Sequence, residues 1–124
     1  MIAADTSSII EFLKGSKDID ALAVQAAVET ATLCLPAVVV TELLSDHKAA
    51  PTIEPFISKF TRLDPTDGYW ERAGLARRQL LARGLKARLG DALAAQACID
   101  HGVVLIARDK DFRHFVTHLG LKLA

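Results

Sequence analysis

The feature that most constrains this chain is an alternation of short apolar runs with longer amphipathic stretches, the runs being joined by helical patterns instead of hairpin turns. Strands separated by helices pair in parallel, because a parallel connection needs a crossover long enough to carry a helix. The pattern therefore predicts a single α/β domain over residues 1–124 with a central parallel sheet. Strands are expected at Met1–Ala4, Thr32–Leu35, Thr61–Leu63, Val103–Ala107 and Leu121–Leu123. Helices are expected at Ser7–Leu13, Asp18–Thr30, Ala37–Ser45, a short stretch between Pro51 and Phe60, Thr66–Arg83, Leu89–His101 and Phe112–His118. Two of these need argument. Three successive valines in Ala37–Ser45 favour a strand, but that would place Pro36 inside a central strand, where its missing N–H breaks the ladder. Pro36 suits a helix start instead. In Asp18–Thr30, the spacing of Ile19, Leu22, Ala23, Ala26 and Ala27 puts them on one apolar face, and that face together with the Thr52–Phe60 segment is expected to exceed what a monomer covers.

Composition narrows the class. Hydrophobic residues make up 51% of the 124, enough for a real core, so a disordered chain is excluded. Fifteen basic residues balance fifteen acids, so a polyanionic partner would have to be met by a local patch and not by net charge. Cys34 and Cys98 lie singly in apolar surroundings and read as buried thiols in a reducing compartment. With no basic start, no long apolar run and no membrane-length segment, a cytoplasmic protein without a signal peptide is expected.

The segment VVLIARDKDF, Val103–Phe112, drives an apolar strand onto a knot of charge. The helix from Asp91 to His101 advances roughly 15 Å at 1.5 Å per residue. Gly102 reverses the chain, and the strand to Asp109 returns roughly 20 Å. Asp109 should therefore come back beside Asp91. Asp5 falls at the carboxyl end of the first strand, on the edge where parallel α/β sheets bind ligands. Glu42, about two turns into the helix after the second strand, is long enough to reach the same edge. Each acid also has a plain structural role open to it. Asp5 can cap its helix, Asp91 can complement a helix dipole, and Asp109 and Asp111 can cap the last helix. Gathered at one edge, though, four carboxylates repel unless a cation sits among them, and oxygen-only ligands suit Mg2+ or Mn2+.

Six basic residues and no acid occur from Arg72 to Arg88: Arg72, Arg77, Arg78, Arg83, Lys86 and Arg88. They form the local patch that the neutral total hides, and each also reads as an ordinary solvated helix residue. Arg108, Lys110 and Arg113 are further candidates beside the acids. Tyr69 and Trp70 suit packing better than base stacking. His114 and His118 have a metal-compatible spacing but no third ligand in view, and read as a surface pair.

Taken in order, MIAADTSSII, AVVVTELL, GDALAAQACIDHG and VLIARDKDF resemble the PIN-domain ribonucleases, and most closely the VapC-type toxins of bacterial toxin–antitoxin pairs. The resemblance covers nearly the whole chain. It implies a three-layer fold, a parallel sheet of about five strands flanked by helices, and an acidic Mg2+ or Mn2+ site cutting RNA to leave a 5′-phosphate and a 3′-hydroxyl. It also implies a homodimer and a cognate antitoxin partner. By position, Asp5, Glu42, Asp91 and Asp109 match the family's four acids; Thr6 or Ser7 matches a polar residue assisting the first acid. Asp111 matches a supporting residue that binds through water or caps the helix. Ala107 departs from the pattern, standing where the family commonly has a hydroxyl residue. A non-catalytic RNA-binding or scaffolding module of the same fold is the main alternative. A phosphoacceptor receiver domain fits poorly, since Asp5 is followed by Thr6 and Ser7 and not by a second acid.

Overall fold

A computed structural model describes residues 1–48 and 50–124, with Ala50 by its backbone alone. The elements follow in the order β1 (Ile2–Ala4), α1 (Thr6–Leu13), α2 (Ile19–Glu29), β2 (Leu33–Pro36), α3 (Ala37–Leu44), α4 (Ala50–Ile57), β3 (Thr61–Leu63), α5 (Tyr69–Ala82), α6 (Leu89–His101), β4 (Val104–Ile106) and α7 (Phe112–Leu119). The strands pair in parallel in the order β3-β2-β1-β4. Ile2 lies opposite Leu33 on one side and Val104 on the other, and Cys34 opposite Thr61. Every strand therefore ends toward the same edge.

Alternation along the strands divides the core into two. Ala3, Cys34 and Leu105 face the layer of α5, α6 and α7, packing with Leu80, Cys98, Phe112 and Phe115. Ala4, Leu33, Leu35 and Ile106 face the opposite layer, with Ile9, Val24, Val39, Leu43, Ile53 and Phe56. The two cysteines are free and buried, and burial pushes the Cys98 thiol up to about 12, so it sits in the core as an inert apolar group. No helix among the described residues is long and apolar enough to cross a membrane.

Three expectations are corrected. The fifth strand contracts to a single parallel bridge between Leu105 and Leu123, held by Leu105 N–H to Lys122 O and Ala124 N–H to Leu105 O, both 2.9 Å. Gly120, at φ 81°, turns the chain so that Leu121 plugs the core, leaving little length to pair with a three-residue β4. On α2 the inward residues are Ala21, Val24 and Ala27. Of the five residues expected to share one face, Ala27 is buried and Ala23 partly so, while Ile19 is 88% exposed and Leu22 and Ala26 face outward. Finally, α5 begins at Tyr69 and not Thr66, because Gly68 takes φ 78° and closes a turn first.

Candidate active site

The loops at the carboxyl edge carry the acids. Asp5 leaves β1 with its N–H bonded to Ile106 O at 2.9 Å, so the β1–β4 ladder fixes its position. It occupies the N-cap of α1, yet its carboxylate makes no capping bond. The side chain is 6% exposed. Burial pushes its carboxyl up to about 7, against the backbone N–H of Thr6, and the charges of Asp91, Glu42 and Asp109 push the same way. Capping thus does not explain Asp5.

Asp91 stands in the first turn of α6. Its Oδ2 is buried without a hydrogen-bond partner. Burial pushes its carboxyl up to about 6, and Asp109, Glu42 and Asp111 add to this against the opposing charge of Arg88. The repulsion between Asp91 and Asp109 is the closeness expected from the helix-and-return argument. The Asp109 Oδ1 accepts the Asp111 N–H at 2.8 Å, and the Asp111 side chain does not cap α7. Instead, Asp111 Oδ2 lies 3.8 Å from Lys86 Nζ, linking the loop before α6 to the loop after β4.

Glu42 projects from α3 and is exposed, despite the apolar sequence around it. Its Oε1 accepts the Thr6 hydroxyl at 2.8 Å. Thr6 thus assists Glu42 and not Asp5, and Ser7 Oγ is buried with no partner. Nowhere among the described residues do three His, Cys, Asp or Glu side chains stand in a closed metal-ligand set. The acids nevertheless suit a hard divalent cation: the donors are all oxygens, they repel one another, and one buried carboxylate oxygen lacks any partner. Asp5, Asp91, Asp109 and Glu42 are the carboxylates that would hold one.

The basic candidates divide. Arg72 binds Asp100 through Nε (3.1 Å) and Nη2 (2.7 Å) and also donates to Asp67 O and Thr66 Oγ1, bracing the start of α5 against the end of α6. Arg77 Nε donates to Ala87 O at 2.8 Å, strapping the α5–α6 loop. Arg108 is clasped by Asp18 (2.7 Å) and Asp20 (2.9 Å) at the start of α2. These three guanidiniums are engaged within the fold. Arg78, Arg83 and Arg88 are exposed, with no hydrogen-bond or ion-pair partner among the described residues. Tyr69 packs, donating its hydroxyl to Leu93 O at 2.6 Å, whereas Trp70 is 62% exposed. Sequence reasoning missed Gly90, which lies against the Glu42 carboxylate; its one signal was a glycine inside a helix, directly before Asp91.

The sequence pattern of the PIN domain matches residues 2–116. This chain belongs to the PIN-domain family. The PIN fold recurs in solved structures at low identity. The DNA-bound VapBC complex of Salmonella typhimurium matches with a TM-score of 0.73 at 20% identity, over 100% of this chain and 98% of that one. VapBC2 of Rickettsia felis, bound to a promoter DNA fragment, matches with 0.73 at 19%, over 100% and 98%. FitAcB of Neisseria gonorrhoeae matches with 0.67 at 18%, over 100% and 97%. No curated protein matches the sequence. The PIN membership agrees with the resemblance drawn from the four sequence blocks, and the four-stranded parallel sheet with its flanking helices is the PIN architecture.

Proposed function

We propose that this PIN-domain protein is a metal-dependent endoribonuclease acting as the toxin of a toxin–antitoxin pair. What supports the reading is that Asp91, Glu42 and Asp109, from three other segments, all push up the buried Asp5 carboxyl, and that Asp91 Oδ2 is buried and unpartnered. A divalent cation bound there would lower the pKa of a water and neutralise phosphate charge. Asp5, Asp91 and Asp109 would hold it, and Glu42 would either add a ligand or orient the attacking water. Asp111 supports Asp109 through its backbone N–H. RNA is gripped by Arg78, Arg83, Lys86 and Arg88, which lead from α5 to the acids, and cleavage leaves a 5′-phosphate and a 3′-hydroxyl.

The partner reading draws support from the solved relatives, two of which are VapBC assemblies bound to DNA. Apolar surface left exposed, Ile19 and Leu22 on α2 and Trp70, Leu75 and Leu81 on α5, is what a second copy and an antitoxin would cover. The deciding experiment incubates single-stranded RNA with the protein and Mg2+, Mn2+ or a chelator. Cleavage is expected with either ion, none with chelator, and none in Asp91→Asn with native circular dichroism. Full cleavage by Asp91→Asn overturns the assignment, and RNA binding without any cleavage turns it to a non-catalytic binding module.

A further inference from the structure

We propose that Gly90 and Thr6 are positioning residues that fix the Glu42 carboxylate from two sides; the inference deepens the nuclease reading and rests on it. Glu42 is an exposed side chain on α3 with no ion-pair partner among the described residues, so nothing on its own helix restrains its three side-chain torsions. Two other segments do. Thr6, opening α1, donates its hydroxyl to Oε1 at 2.8 Å. Gly90, in the first turn of α6, lies against the opposite oxygen. A methyl group at Gly90 would sit 3.1 Å from Oε2, 3.6 Å from Cδ and 3.9 Å from Oε1.

Backbone conformation does not require a glycine at this position. Gly15, Gly68, Gly84, Gly102 and Gly120 all take positive φ, and Gly90 does not. Nor is a glycine welcome there, since alanine is the better helix former. Gly74 is the other helical glycine without positive φ, and a methyl there meets open space. Gly90 alone among the glycines combines ordinary helical φ with a crowded flank, and the crowding group is a carboxylate. What the missing side chain provides is room for Glu42 to lie directly over the turn that carries Asp91.

The geometry also says what a side chain would do. The obstructed atoms are the far end of a flexible side chain, not backbone, so in Gly90→Ala the helix stays and the carboxylate gives way by a few tenths of an ångström, off the position Thr6 holds. Folding and positioning are thereby separable. Gly90→Ala is expected to match or exceed the wild-type melting temperature, yet to weaken Mn2+ binding, followed by calorimetry with Mn2+ alone, by about tenfold, as outer-shell substitutions do. It should lower kcat on single-stranded RNA and leave KM unchanged, since a methyl at Gly90 meets Glu42 and none of the basic side chains. Thr6→Val is expected to do the same, and Thr6→Ser, which keeps the hydroxyl, to retain most of the affinity.

A double-mutant cycle isolates the cause. In a Glu42→Gln background, where the carboxylate is gone, Gly90→Ala should produce little further loss of kcat or Mn2+ affinity. Equal losses with and without Glu42, or wild-type Mn2+ affinity and kcat in Gly90→Ala, would overturn the inference while leaving the nuclease reading intact. A wild-type protein that binds no Mn2+ and cuts no RNA would instead bring down that reading, and this inference with it.

Discussion

Replacing Asp5 with asparagine should make the ion-free protein more stable while removing its activity. In the fold, burial holds the Asp5 carboxyl near 7 instead of 3.8. A rise of about 3 units corresponds to about 4 kcal/mol at 1.36 kcal/mol per unit. The native state binds more protons than the unfolded chain between about pH 4 and pH 7, so stability falls as pH rises through that window and stays low above it. Asparagine has the same shape and no charge. The charges of Asp91, Glu42 and Asp109 also push the Asp5 carboxyl up, and asparagine is spared that repulsion. The expected gain at pH 8 is about 2–4 kcal/mol, or roughly 10 °C in melting temperature for a domain of this size. Urea unfolding with chelator present, followed by circular dichroism at pH 5 and pH 8, reads it directly. Wild type should lose about 2–3 kcal/mol more than Asp5→Asn between the two pH values. Added Mn2+ should then narrow the gap, by stabilising wild type alone. Parallel pH profiles for the two proteins would refute the reasoning, because they would mean that Asp5 is not buried as a strained acid.

Other perturbations probe the surroundings. Tyr69→Phe removes a buried 2.6 Å bond to Leu93 O and should cost about 1 kcal/mol in chemical unfolding, with cleavage retained. Arg83→Ala and Arg88→Ala should each weaken RNA binding and reduce the steepness of its salt dependence by about one unit in a filter-binding titration. Arg72→Ala should leave that salt slope unchanged and lower the melting temperature, since its guanidinium is engaged by Asp100.

The carboxyl-edge acids were legible because they follow from topology. A helix that ends in Gly102 and a strand that returns its length must bring Asp109 to Asp91, and parallel strands must put Asp5 on the same edge. Strand β3 and helix α6 were likewise readable to the residue, being bounded by strong signals. What could not be read were partnerships between distant segments. Nothing near Arg72 announces Asp100, nor does anything near Arg108 announce Asp18 and Asp20. The apolar neighbours of Glu42 in the sequence say nothing of what its carboxylate touches, and only Thr6 and Gly90 locate it.

The margins of the sheet are unequal. Beyond β4, the Leu123 bridge seals one border, while β3 at the opposite border has no strand beside it among the described residues. Intermolecular strand addition, the seed of domain exchange and fibril growth, therefore has one doorway, Thr61–Leu63. Arg62 and Asp64, exposed and joined at 2.6 Å, stand at its threshold as charged gatekeepers. Neutral apolar replacements there would open a route to self-association without touching any acid of the catalytic edge.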